Sequence, residues 1–257
     1  MRIIRFLKSF LQASSIVNPD NLSTQIETVS TAKTWEISQN YEFKYAIAFM
    51  NTPDFRTLAK SVHDGEMNIS TGYVNNLILN EFFAGEEALW HEFVNQISGK
   101  TCLEIGPAVL SVLSTWDVVQ ESHVVEPLIE QIENWQRSNF GFSVFEGLKT
   151  HSHGAEKFIP ELSAKIDGAI FCRNCLDHTP KWPFILGNIS KYAASGCRLL
   201  LWLDLDHHGV ADDGHYDITT DPEEFKNLVD ALGFDIVREY SCQERFELNW
   251  GCFAIKR

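Results

Sequence analysis

From Gly99 onward short apolar runs alternate with longer amphipathic ones, and that alternation restricts the fold more than any other feature. Thr101 to Ile105, Ser122 to Val125, Phe142 to Phe145, Gly168 to Cys172 and Arg198 to Leu205 read as strands. Val109 to Trp116, Leu128 to Arg137 and Trp182 to Ala194 read as helices, with a loop and short helix over Ala155 to Ile166. Strands separated by helices form a parallel sheet covered on both faces. Pro222 to Leu232 is a further helix, with Asp221 as its N-cap and Gly233 as its stop. Phe234 to Glu239 and Phe246 to Ile255 are final strands joined without a helix, so the last one pairs antiparallel.

Before Gly99 the signals are mainly helical. Tyr41 to Met50 is a compact apolar-aromatic run, and Asn51-Thr-Pro-Asp54 marks a turn that starts a helix over Phe55 to Val62. Asn75 to Phe83 and Glu86 to Ile97 continue the pattern, the latter with Leu89, Trp90, Phe93, Val94 and Ile97 at helical spacing. The chain therefore divides into a helical N-terminal extension, 1–98, and an α/β domain, 99–257. No internal repeat or low-complexity tract interrupts either part.

Composition narrows the function. The chain has 21 basic and 35 acidic residues, a formal charge of −14. Such a surface repels phosphate backbones, and no Lys/Arg cluster offsets it, so a nucleic-acid partner is not expected. No apolar stretch approaches the roughly twenty residues of a membrane helix, so no integral membrane segment is expected. Met1 to Leu11 is broken by Arg2, Arg5 and Lys8, unlike a secretory signal. If helical, Ile3, Ile4, Leu7, Phe10 and Leu11 share one face, suited first to packing on its own domain and second to a membrane surface. Four of the six cysteines sit in apolar runs, the pattern of buried reduced thiols in a cytoplasmic protein.

Cys102-Leu-Glu-Ile-Gly-Pro107 carries the strongest functional signal. Ligands of open α/β sheets bind beyond the carboxyl ends of the strands, where strand order reverses. Gly106, without a Cβ, lets the backbone turn and approach a ligand closely. Glu126 stands 20 residues later, at the end of the second strand. That is the spacing at which a carboxylate meets the hydroxyls of a ribose. A dinucleotide loop needs Gly-x-Gly-x-x-Gly, whereas this chain has Gly106-Pro-Ala-Val-Leu-Ser111. Two glycines are missing and Pro107 removes a donor, which argues against a nicotinamide cofactor.

These residues resemble the class I S-adenosylmethionine-dependent methyltransferases. Leu103-Glu-Ile-Gly106 resembles the first motif of that family and Val125-Glu-Pro127 its second-strand acidic motif. Gly154-Ala-Glu-Lys-Phe-Ile-Pro160 is similar to its adenine-side loop, Asp167 to His178 to its fourth-strand segment, and Ala193 to Leu201 to the turn into its fifth strand. The resemblance covers Gly99 to Arg257. It implies a Rossmann-like, mostly parallel seven-stranded sheet with an antiparallel last strand, and S-adenosyl-L-methionine as cofactor. It also implies that Glu104 and Gly106 bracket the methionine end, Glu126 holds the ribose, Ala155 and Glu156 line the adenine, and Arg173 and Asn174 face the inner edge of the cofactor. The chain departs from the family at Ala108, where another glycine is usual, and at Gly154, where an acid is frequent. Ala108 fits without strain if its φ is negative; Glu156, or backbone groups flanking Ala155, would serve in place of an acid at 154.

Methyl transfer from a sulfonium needs a base only when the acceptor must lose a proton. Asp177, His178, His207 and His208 are the catalytic candidates, since they follow the fourth and fifth strands; Asp204, Asp206 and His215 lie near the last pair. His151 and His153 add ligand types, but none of these residues has a specific metal spacing, and Cys172-Arg-Asn-Cys175 lacks a second pair for zinc. No metal is expected. Trp35, Tyr41, Phe43 and Tyr45 suit either a core or an acceptor pocket capped by the extension. The expected activity is methylation of an O or N atom of a small-molecule or carbohydrate-like acceptor. The alternatives are a non-catalytic module of the same fold and a nicotinamide-dependent reductase.

Overall fold

The computed structural model describes residues 29–69, 78–80, 82–205, 218, 221–244 and 247–257. Helices α1 (Val29–Met50), α2 (Pro53–His63) and α3 (Glu87–Ile97) precede the sheet. Thr52 starts α2: its hydroxyl accepts the Phe55 N–H at 3.2 Å, and Pro53 holds the first position, where no N–H is needed. The expected segment Asn75 to Phe83 lies partly outside the described residues.

Strands β1 (Thr101–Ile105), β2 (Glu121–Val125), β3 (Lys149–His151), β4 (Ala169–Arg173), β5 (Arg198–Asp204), β6 (Phe234–Glu244) and β7 (Glu247–Lys256) form one sheet in the order β3-β2-β1-β4-β5-β7-β6. The first five run parallel; β7 lies antiparallel between β5 and β6. Helices α4 (Ile129–Phe140), α5 (Trp182–Tyr192) and α6 (Pro222–Ala231) pack around it. Gly141, at φ 84°, stops α4 in the left-handed conformation that glycine tolerates best. Asp221 caps α6 by accepting the Glu223 N–H at 3.0 Å.

Both faces of the sheet are buried. Leu103, Ile105, Ile170, Cys172, Leu199, Leu201 and Leu203 join one core beneath α5 and α6. Cys102, Ala169, Phe171 and Leu200 alternate onto the other, against Phe82, Trp90, Phe93 and Ile97. A third cluster joins α1, α2 and α4 through Met50, Phe55, Ile129 and Ile132. No helix among the described residues is long and apolar enough to cross a membrane.

Two expectations are corrected. The third strand is Lys149–His151, not Phe142 to Phe145. The latter segment is a turn fastened to α4: Gln136 Oε1 accepts the Val144 N–H at 3.0 Å, and Ser143 Oγ accepts that of Phe145 at 3.2 Å. Side chains thus take the backbone donors a ladder would have used. Val109 to Trp116 holds only one 3-10 turn, Val112–Thr115. There the buried carboxyl of Glu104 accepts the Ser111 hydroxyl and the Val112 N–H, the latter at 2.9 Å, while Ser111 Oγ accepts the Leu113 N–H.

Glu104 thus fixes the chain after β1. Burial pushes its pKa from 4.5 up to about 8 against those hydrogen bonds. The folded state therefore holds this proton more tightly than the unfolded chain. Its contribution to stability falls as pH rises from the unfolded value through the folded one. Glu104→Gln keeps an acceptor oxygen and loses the titration. Thermal melts of the two proteins are expected to lie close at about pH 5, with the variant more stable at about pH 8 by a few kcal/mol. A parallel decline in both would contradict the assignment.

Candidate active site

A cavity of about 290 Å³ opens at the carboxyl ends of β1, β2 and β4, where the strand order turns back. Its floor begins at Gly106, whose φ is 70°. A Cβ there would lie 2.9 Å from Cys175 Sγ and closer still to its Cβ, so a side chain at 106 would push β1 and β4 apart. Ala108 follows at φ 53°, the left-handed region rather than the negative φ expected of it. That conformation costs an alanine about 1–2 kcal/mol.

The second wall comes from β2. Glu126 is 7% exposed and lines the cavity. Its carboxyl accepts the Leu128 N–H at 3.0 Å and a backbone hydrogen bond from Ala108, which ties the two loops together. Burial pushes its pKa to about 7, despite those backbone bonds and nearby His178.

The third wall is the loop Gly154-Ala155-Glu156. Asn188, buried on α5, holds it by donating to the carbonyls of Ala155 at 2.9 Å and Glu156 at 3.0 Å. A Cβ built on Gly154 would approach Glu156 Cδ to 2.7 Å. The Glu156 carboxylate therefore fills the space that a side chain at 154 would take. Its Oε2 is buried without a partner, as is Oδ1 of Asn174 on the far strand end. Asn174 lines the cavity at φ 47°, and its backbone N–H donates to Trp202 at 2.8 Å.

The fourth wall is α1. Gln39, Glu42, Ala46 and Phe49 follow one another at helical spacing and face the cavity with Tyr45. Glu42 Oε1 lies 3.2 Å from His178 Nδ1, while Asp177, 2% exposed, sits 3.8 Å from His178 Nε2. Burial lowers the His178 pKa, but Glu42, Asp177 and Glu126 outweigh it and raise the net value.

The structure brings Gly106, Glu126, Ala155, Glu156, Asn174 and His178 to this cavity. Glu104 turns beneath the loop, Arg173 ends β4 exposed, and Asp177 lies behind His178. His207, His208, His215 and Asp206 lie outside the described residues, as does the side chain of Asp204. Trp35 also lies there by its side chain; Phe43 packs against the third core, and Tyr41 is 49% exposed. Among the described residues no group of three or more His, Cys, Asp or Glu is arranged to hold a metal. His151 instead contacts His123 at 3.1 Å, and the Cys172 and Cys175 sulfurs lie 3.2 Å apart. Sequence reasoning missed Glu42 and Asn188. The helical spacing of residues 39, 42, 46 and 49 was a usable signal for the first; nothing local marks the second.

No protein-family model matches the sequence, and no curated protein aligns with it. Solved structures do match. One is the N-methyltransferase NodS of Bradyrhizobium japonicum in complex with S-adenosyl-L-homocysteine, at 12% identity and TM-score 0.50, covering 87% of this chain and 99% of that one. Another is a candidate methyltransferase of Bacillus halodurans, at 11% identity and TM-score 0.51, covering 67% and 99%. Sheet order, antiparallel β7 and these likenesses agree: the chain has the Rossmann-like fold of the class I S-adenosylmethionine-dependent methyltransferases.

Proposed function

We propose that the chain is an S-adenosylmethionine-dependent methyltransferase acting on an O or N atom of a small-molecule or carbohydrate-like acceptor. Residues 99–257 bind the cofactor, and 1–98 cap it. The observation that carries this reading is the pair of buried acceptors, Glu156 Oε2 and Asn174 Oδ1, without donors in the walls of one cavity. A buried acceptor left unpaired is costly, so a ligand bringing N–H donors suits both. S-adenosylmethionine has an adenine amino group for Glu156, an ammonium for Asn174 and a ribose diol for Glu126. The cofactor supplies a methyl group on a sulfonium that leaves as a neutral thioether.

The chain has three tasks. Gly106 admits the methionine portion against the β1 turn. Glu126, held by Leu128 and Ala108, orients the ribose. His178 and Thr179 border the space left for the acceptor. The carboxylates of Glu42, Asp177 and Glu126 raise the His178 pKa, which shifts it toward a donor and away from a base. Asp177 would act through His178, and His207 and His208 remain candidates from the β5 side. Reduced buried Cys102, Cys172, Cys197 and Cys252 fit a cytoplasmic setting. The departure at Ala108 favours a second reading, a fold-retaining module that binds without turnover.

Calorimetric titration with S-adenosylhomocysteine tests the assignment. Glu126→Ala is expected to weaken binding about 10- to 100-fold by removing hydrogen bonds to a charged group. Unchanged affinity would contradict the ribose role. Ala108→Gly is expected to raise stability by up to about 1 kcal/mol in denaturant melts, as relieved strain exceeds the added freedom of the unfolded chain. A loss of stability would show that the left-handed turn is not strained.

A further inference from the structure

The proposed cofactor contacts leave one part of the cavity unassigned, the wall built by α1 and the residues after β4. Glu42, Tyr45 and Phe49 line it from α1, and His178 and Thr179 from the other side. Its chemistry is lopsided. The carboxylates lining the cavity are Glu42, Glu126 and Glu156. Among the described lining residues, His178 is the one side chain that can carry positive charge, and Glu42, Asp177 and Glu126 all act on it. A carboxylate or phosphate group entering here would meet these carboxylates, and His178, the cation it could pair with, is already paired with Glu42 at 3.2 Å. The net charge of −14 over the whole chain likewise disfavours the approach of anions.

The aromatic rings point to the same ligand class. Tyr45 is 65% exposed and Phe49 45% exposed, although both line the cavity. Large rings left open to solvent at the mouth of a cavity, beside a carboxylate on the same helix face, suit a cation carried on an apolar skeleton. Tyr41 continues this exposed strip by one helical turn. The aromatic face is thus continuous with the cavity and ends on a negative charge.

We propose that the acceptor is an amine, bound as its ammonium against the Glu42 carboxylate with its carbon skeleton laid on the rings of Tyr45 and Phe49. This rests on the methyltransferase reading and selects nitrogen over oxygen within it. The ammonium first gives one proton to solvent at the open mouth. The nitrogen lone pair then forms the C–N bond while the C–S pair passes to sulfur. The products are a methylated ammonium and S-adenosylhomocysteine. Glu42 holds the nitrogen, is held by His178, and favours the methylated ammonium as it forms.

Three probes that share one skeleton separate the possibilities: phenethylamine, 2-phenylethanol and phenylacetate. Their binding to the full chain is measured by ligand-observed NMR, with and without saturating S-adenosylhomocysteine. Phenethylamine is expected to bind at least several-fold tighter than the alcohol, and phenylacetate weakest. Glu42→Gln is expected to weaken the amine about 10-fold and to erase its advantage over the alcohol. Tyr45→Ala is expected to weaken it about 3-fold. Retained S-adenosylhomocysteine affinity in both variants shows that they are folded. Equal or tighter binding of phenylacetate, an amine affinity indifferent to Glu42→Gln, or no amine binding at millimolar concentration overturns the amine proposal. Absence of S-adenosylhomocysteine binding in the unaltered chain overturns the cofactor reading instead, and the probe series without it still decides the charge preference.

Discussion

Where β1 ends, the backbone of Gly106 lies against Cys175 after β4, too close for any side chain at 106. That contact brings together the two strands between which the sheet order turns back. The rest of the site follows from it. The chain leaves β1 in a left-handed turn, Ala108 continues it, and the loop meets the carboxyl of Glu126 from the neighbouring strand. Glu104 secures the same loop from below through Ser111 and Val112. Two buried acids, one under the loop and one beside it, hold the turn that the cavity needs. Each has its pKa raised by burial, to about 8 and about 7. Stability is thereby traded for a defined concave surface.

The helical extension completes the cavity. Helix α1 lays Gln39, Glu42, Tyr45, Ala46 and Phe49 over its open side. The Glu42–His178 contact joins that helix to the end of β4. The walls proposed for the cofactor are built on strands and their loops, whereas the wall proposed for the acceptor rests on a helix carrying exposed rings. Such a division lets one fold serve many acceptors by varying the cap.

Much of the fold was legible because it rests on periodicity. Strands such as Ala169–Arg173 are buried on both faces and read as continuous apolar runs, and α6 announces both its ends through Asp221 and Gly233. What misled the reading was local competition for backbone donors. Phe142 to Phe145 looks like a strand, but Gln136 and Ser143 capture its N–H groups. Val109 to Trp116 looks like a helix, but Glu104, a residue of the preceding strand, takes the Val112 donor. Within the site, Gly106 and Glu126 were readable from their spacing across the ends of two successive strands, β1 and β2. Glu42 had a signal in the helical spacing of residues 39, 42, 46 and 49, but its pairing with His178 had none, because no spacing rule links a cap helix to a strand end. The left-handed Ala108 was missed because alanine gives no hint of positive φ.

The central claim is that the cavity accepts S-adenosylmethionine rather than a dinucleotide. Parallel calorimetric titrations of the full chain with S-adenosylhomocysteine and with NADH test it most directly. Saturable binding of the former, with none of the latter, is the predicted result. Binding of NADH together with no binding of S-adenosylmethionine or its demethylated product would contradict the account.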